Sequence, residues 1–128
     1  MDRINVLVLL GAGAGTWVAG TLYFGYRGAA SLETTPQRYW FTFALLPLLS
    51  AALCISILRW RQIPPSNWAS AMLLLAIPGL FGEAIALSNF ATFLPRLQLG
   101  SAGKYGALLF ATYALVLGIG EIVSLKSR

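Results

Sequence analysis

Histidine is absent from this chain of 128 residues, and cysteine occurs once, as Cys54. Without histidine there is no haem ligation by imidazole, no histidine-based zinc site and no Ser-His-Asp or Cys-His catalysis. A single cysteine can form neither an internal disulfide nor a CxxC redox pair. We therefore expect no metal, no cofactor and no enzymatic activity, and we interpret Cys54 as a small packing residue.

Charged residues are also scarce, since they make up 10% of the chain while hydrophobic residues make up 58% and the mean hydropathy is +0.74. An ordinary soluble domain has roughly a quarter of its residues charged. The composition predicts an integral membrane protein whose main partner is the lipid bilayer. The net charge of +5 is then explained by basic residues at membrane boundaries, and we expect no nucleic-acid partner.

Long uncharged runs divide the chain into spans joined by short polar or proline-containing connections. At 1.5 Å per residue each run is long enough to cross the hydrocarbon core. We predict an all-α, integral membrane four-helix transmembrane bundle that forms one domain over residues 1–128, with both termini on the same side. The predicted spans are residues 4–26, 39–58, 68–90 and 104–122.

Basic residues are distributed almost evenly between the two sides of this topology. The side with the termini has Arg3, Arg59, Arg61, Lys126 and Arg128, and the other has Arg27, Arg38, Arg96 and Lys104. An excess of basic residues favours the cytoplasmic side. We expect cytoplasmic termini, and the small difference leaves dual insertion and an antiparallel dimer open.

One acidic residue, Glu83, lies within the third span, shortly after the pair Pro78-Gly79. An ionisable group inside a bilayer is costly unless it is neutralised, paired or hydrated. At 100° per residue, small residues share its face of the helix and large ones oppose it, so Glu83 should point into the bundle. That face consists of Met72, Ala76, Gly79, Glu83, Ala86 and Phe90.

Tyr113 is the predicted partner of Glu83. The same helical spacing places it on one stripe of the last span together with Gly106, Phe110, Leu117 and Gly120. Glu83 precedes Phe90 by roughly 10 Å along its axis and Tyr113 follows Lys104 by roughly 14 Å, so the two could meet. A neutral Glu83 hydrogen-bonded to Tyr113 would satisfy both groups in lipid.

Three roles are open for Glu83. It could be part of a structural polar clamp between two helices, or it could take up a proton, a cation or a polar ligand during a functional cycle, or it could lie exposed near the interface. Asn89, at the outer end of the same span, is interpreted first as a helix end and second as the rim of a polar site. Pro78 and Gly79 are the predicted hinge.

The first span contains the segment "GAGAGTWVAG", in which Gly11, Gly15 and Ala19 follow one another at intervals of four residues. Small residues at this spacing let another helix backbone or a flat ligand approach closely. We interpret them as a helix-packing face, directed either to another helix of this chain or to a partner subunit. Trp17 is unusual in lying mid-span, away from the aromatic belts of the interfaces.

The segments "PGLFGEAIALSNFATFLPRL" and "SAGKYGALLFATYALVL" resemble a family of small four-span bacterial membrane proteins known only as a domain of unknown function. The shared features are Pro-Gly before an acidic residue, a Phe/Pro segment and a Gly-Ala-Leu-Leu final helix. The resemblance covers the last third of the chain. It implies a four-helix fold in a bacterial membrane, for which we expect the cytoplasmic membrane, and it implies no known activity.

Two functions are compared, of which the first is the one we expect and the second is its alternative. The first is an accessory or scaffold subunit of a membrane complex, or a homo-oligomer, which docks through its glycine-rich first helix. The second is a small transporter or permeation element in which Glu83 binds and releases a ligand while the Pro78 hinge controls access. An enzyme is not expected, because one buried acid and several tyrosines do not specify a reaction.

Overall fold

A computed structural model describes residues 2–33, 35–95 and 97–127. Within these ranges the chain is helical and contains no strand, and four of the helices are long and apolar enough to cross a membrane. The predicted all-α four-helix fold is confirmed. The helices are α1 (Arg3–Leu32), α2 (Pro36–Trp60), α3 (Trp68–Ser88), α4 (Phe90–Phe93) and α5 (Ala102–Lys126).

The first two helices begin at side-chain caps, and the cap of α2 explains why that helix starts earlier than its predicted span. The Asp2 carboxylate accepts a hydrogen bond of 2.8 Å from the backbone N–H of Asn5, and the Thr35 hydroxyl accepts one of 3.1 Å from that of Arg38. Pro36 then occupies the first turn of α2, where a missing N–H costs nothing. The helix continues through Pro47, and α3 likewise continues through Pro78.

The four long helices form a ring in the order α1, α3, α5, α2. α1 packs mainly against α3, α3 against α5, and α5 against α2. The contact between α1 and α2, which closes the ring, is the least extensive of the four. Of the long helices that follow one another in sequence, α3 and α5 therefore pack extensively, whereas α1 with α2 and α2 with α3 do not.

The start of α1 and the end of α5 lie at the same end of this bundle as the connection between α2 and α3. The Arg61 Nε donates a 2.9 Å hydrogen bond to the side-chain carbonyl of Asn5, near the start of α1. The Ser124 hydroxyl, near the end of α5, accepts a 2.8 Å hydrogen bond from the N–H of Ala69. These two bonds attach the first and last helices to the α2–α3 connection.

At the opposite end the segment between α3 and α5 folds back onto the bundle. Leu94 and Leu97 are buried there, and the Glu33 carboxylate accepts hydrogen bonds from the backbone N–H of Gln98, at 2.8 Å, and from the Ser101 hydroxyl. This end of α1 is thus connected to the segment that leads into α5. Arg96 and Arg128, two of the basic residues counted for the topology, lie outside the described residues.

The buried face of α3 is the one that helical spacing predicts, because all six residues of that face are buried. On α5 the predicted stripe is wrong at Phe110, whose side chain is 75% exposed. The residues that α5 buries are Tyr105, Gly106, Leu108, Thr112, Val116, Gly120 and Ser124. An apolar ring can face acyl chains as readily as the core, so hydrophobicity does not decide which way Phe110 points.

Candidate functional site

Glu83 lies in the interior of the bundle, with 8% of its surface exposed. It is the one buried acidic side chain among the described residues. Small residues surround it on α3, since Gly79 and Gly82 precede it and Ala86 follows it, all three buried. The helix therefore carries the carboxyl inward without a bulky neighbour covering it.

The hydroxyl of Tyr105, near the start of α5, lies within hydrogen-bonding reach of this carboxyl. The indole Nε1 of Trp17, on α1, lies within reach of the same carboxyl but has no bond of good geometry. The Glu83 Oε2 atom is buried and unpartnered among the described residues, as is the hydroxyl of Thr21 beside Tyr105. Glu83 Oε2 is thus an acceptor without a donor, and the Trp17 indole N–H is a donor without an acceptor, among the described residues.

Among the described residues no hydrogen bond joins Tyr113 to Glu83, the pair that the sequence predicts. The Tyr113 hydroxyl packs against Gly79, one helical turn before Glu83, so closely that a methyl group on Gly79 would overlap it. Tyr113 belongs to the surroundings of Glu83 and lies about two turns deeper along α5 than Tyr105.

A cavity of about 370 Å³ opens in front of Glu83 and is lined by α1, α2, α3 and α5. None of its described lining residues is lysine or arginine, and Glu83 is the one carboxyl among them. The hydroxyls of Thr16 and Thr112, which also line it, are bonded to carbonyls of their own helices at 2.8 and 2.9 Å. Glu83 is accordingly an unneutralised acceptor in an otherwise largely apolar chamber.

The mouth of this cavity lies at the seam between α1 and α2. The lining residues on α3 and α5 are buried or half-buried, whereas the exposed ones all belong to α1 or α2. On α2 these are Leu49, which is 56% exposed, and Leu53. The seam is also the least extensive of the helix contacts that close the ring. The cavity therefore opens sideways, toward the acyl chains, rather than at an end of the bundle. The exposed lining residues are Thr16, Ala19, Tyr23, Leu49 and Leu53.

Trp17 forms one wall of the cavity and is held there by a glycine. Its indole ring packs directly on Gly82 of α3, where any Cβ would overlap the ring. Trp17 also lines a second groove, between α1 and the segment around Thr92 and Pro95. The sequence shows that Trp17 lies mid-span, but it does not predict the contact with Gly82, because that contact joins two different helices.

Close packing of α1 against α3 depends on Gly13 and not on the predicted glycines. A Cβ at Gly13 would overlap the backbone carbonyl of Leu75, whereas Gly11 and Gly15 have no such neighbour within 4 Å. Gly11, Gly15 and Ala19 are all exposed. Of the two interpretations of this stripe, packing against another helix of this chain is therefore not observed.

Three other predicted residues, Asn89, Pro78 and Gly79, do not provide polar groups to the site around Glu83. Asn89 is exposed at the end of α3, where its side-chain amide donates a 3.2 Å bond to the carbonyl of Ile85, so it does not belong to the polar site. Six residues separate it from Glu83, which turns it about 240° around the helix. Pro78 lies within continuous α3, and Gly79 provides the space for Tyr113.

The arrangement provides groups that can bind a ligand. Among the described residues no group of three or more histidine, cysteine, aspartate or glutamate side chains could hold a metal ion. The cavity offers a carboxyl with one free oxygen, an indole N–H and several aromatic faces. Such a set can hold a proton or a cation, and a carboxylate buried without a cation is otherwise costly.

Four apolar helices around one buried carboxyl define a multi-pass membrane protein of the four-helix class. Residues 32–127 match a family of unknown function, DUF5367, and the chain belongs to this family. The resemblance read from the last third of the sequence is thereby confirmed and extends back to the end of α1. No curated protein and no solved structure matches the chain.

Proposed function

We propose that this protein is a small transporter or permeation element in which Glu83 binds and releases a proton. The observation that carries the proposal is that Glu83, buried in the bundle with an unpartnered Oε2, lines a cavity of about 370 Å³. Ionisable residues within membrane spans face bundle interiors and mark pathways for ions or substrates. A purely structural carboxyl would be expected to have both oxygens bonded and no adjoining space.

Proton flux into proteoliposomes tests this function. The vesicles contain a pH-sensitive dye, and a potassium gradient with valinomycin sets the driving force. We expect the wild-type protein to acidify the vesicles faster than protein-free lipid does, and Glu83→Gln to lower the rate to the protein-free level. Glu121→Gln is the matched control, since Glu121 is an exposed glutamate of α5 that does not line the cavity.

Thermal unfolding of each variant in detergent shows whether it is folded before its flux is compared. If Glu83→Gln does not fold, Glu83→Asp replaces it, because this change keeps the acid but withdraws it by one methylene; a reduced flux is then expected. A folded Glu83 variant with wild-type flux, or a wild-type protein with no flux above protein-free lipid, would remove the proposal.

An accessory or scaffold subunit is the second candidate, and the exposed stripe of Gly11, Gly15 and Ala19 favours it. These residues leave open space on the outside of α1, where a helix of a partner subunit or of a second copy could approach closely. Purification in mild detergent should then yield a stoichiometric partner that Gly15→Leu weakens. Ala84→Leu, at an exposed small residue of α3, is the control. A monomer in every detergent would contradict this candidate.

We infer a bacterial cytoplasmic membrane and cytoplasmic termini from the family resemblance and the excess of basic residues at the terminal end. A Ser127→Cys variant in a Cys54→Ser background should react with a membrane-impermeant maleimide only after the cells are opened. Reaction in intact cells would contradict this orientation, and partial reaction would indicate dual insertion.

A further inference from the structure

We infer that the cavity takes a protonated amine with a compact apolar body, and that this ligand reaches Glu83 from the bilayer through the seam between α1 and α2. The inference rests on the proposed function in treating Glu83 as a ligand site, and it adds the class of ligand and the route.

The ammonium group is indicated by what surrounds the carboxyl. Glu83 lines the cavity, and no lysine or arginine lies among the described lining residues to pair with its carboxyl. An N–H⁺ group in the cavity would donate a charge-assisted hydrogen bond to the carboxylate and neutralise it at the same time. An anionic ligand would instead place two like charges together in a medium of low polarity.

Aromatic rings around the carboxyl provide a second interaction for a cation. Trp17, Phe24, Tyr105 and Tyr113 all line the cavity. The face of such a ring attracts an ammonium group, and the attraction grows when water is excluded. The site therefore contains both a counter-charge and π surfaces for one positive group.

The apolar body of the ligand is indicated by the remainder of the chamber. Its walls away from Glu83 include Leu46, Leu109 and Val116, and its volume of about 370 Å³ lies at the small end of the range for ligand pockets, roughly 300–1,000 Å³. A phenyl ring with a short alkyl chain is of suitable size and polarity. The ligand would lie with its ammonium group at Glu83 and its apolar end toward the mouth.

The route is indicated by the mouth itself. Leu49 and Leu53 of α2 and Ala19 of α1 are exposed at the seam and also line the cavity. These side chains are apolar, and the other two exposed lining residues, Thr16 and Tyr23, carry hydroxyls but no charge, as expected of an opening into acyl chains. A ligand dissolved in the bilayer can pass between them without first entering water.

Equilibrium binding tests the class of ligand, with tritiated 4-phenylbutylamine as the probe and 4-phenylbutan-1-ol as its uncharged counterpart. The protein is held in lipid nanodiscs, and empty nanodiscs correct for partition into lipid. We expect saturable binding of one amine per protein, at least tenfold tighter than that of the alcohol. Glu83→Gln should weaken amine binding at least tenfold, while Glu121→Gln should leave it unchanged.

The route is tested by the rate of amine association. Leu49→Trp should slow association by filling the seam, whereas Leu48→Trp, at an exposed neighbouring position that does not line the cavity, should not. Equal rates in the two variants would overturn the lateral route. If Leu49→Trp does not fold, Leu53→Phe, which fills the same opening, is measured in its place, and slower association is again expected.

Equal binding of amine and alcohol by the wild-type protein would overturn the ligand class, and so would the absence of saturable amine binding. This comparison needs no variant, so it stands even if Glu83→Gln does not fold. Binding and proton flux are independent measurements. Amine binding without proton flux would preserve this inference and remove the proposed function, while flux without amine binding would do the opposite.

Discussion

At the scale of single residues, the sequence predicts the inward direction of Glu83 but not which tyrosine lies within hydrogen-bonding reach of its carboxyl. The predicted depths were counted from Phe90 and Lys104, whereas α3 ends at Ser88 and α5 begins at Ala102. Counted from these ends, Glu83 lies about 8 Å from its helix end, Tyr113 about 16 Å and Tyr105 about 5 Å. A shift of two residues at each end therefore exchanges one tyrosine for the other.

Tyr105→Phe should lower the stability of the bundle more than Tyr113→Phe does. Tyr105 is fully buried and its hydroxyl lies within hydrogen-bonding reach of Glu83, so its removal takes a donor away from a carboxyl that already has one unpartnered oxygen. Hydrogen bonds within membrane helices are worth about 0.6 kcal/mol on average and up to about 1.7 kcal/mol. We expect a loss in that range for Tyr105→Phe, measured by unfolding in denaturing detergent; a larger loss for Tyr113→Phe would restore the original assignment.

At the scale of helices, spacing predicts the buried face of α3 but not that of α5. On α3 a carboxyl and a row of small residues all share one face, and none of them favours lipid contact more than packing. On α5 the predicted stripe includes Phe110, whose ring packs equally well against acyl chains and against other helices. The polar residues Tyr105, Thr112 and Ser124 identify the true face, since all three are buried.

The glycines of α1 illustrate the same limit. Three small residues at regular intervals suggest a packing face, yet the helix meets α3 through Gly13, which lies between two of them. Which glycine lies in a contact depends on the rotation of α1 about its axis. That rotation is set by the side chains of α3, including Leu75 and Gly82, and cannot be read from α1 alone.

Gly13→Ala should therefore destabilise the bundle, while Gly11→Ala should not. The added methyl at Gly13 would overlap the Leu75 carbonyl, and overpacking a close contact typically costs about 1–3 kcal/mol. At Gly11 there is open space, so alanine could instead stabilise the helix by up to about 1 kcal/mol. Unfolding of both variants in denaturing detergent distinguishes them, and equal stability would contradict the packing described.

At the scale of the whole molecule, composition and the lengths of the uncharged runs are sufficient to predict the membrane class and the four helices. The order of the helices around the ring and the cavity within it are not predictable in this way. Both depend on which apolar faces meet one another and which meet lipid, and the two environments attract the same side chains. The seam between α1 and α2 is a consequence of that order.

The central claim is that the Glu83 carboxyl occupies a chamber reached from the acyl chains and not from bulk water. Reaction with carbodiimides in lipid vesicles, followed by peptide mass analysis, tests it most directly. Dicyclohexylcarbodiimide, which partitions into lipid, should modify Glu83, whereas a water-soluble carbodiimide should modify the exposed Asp2 and leave Glu83 unmodified. Modification of Glu83 by the water-soluble reagent as readily as Asp2, or its resistance to the lipid-soluble one, would contradict the account.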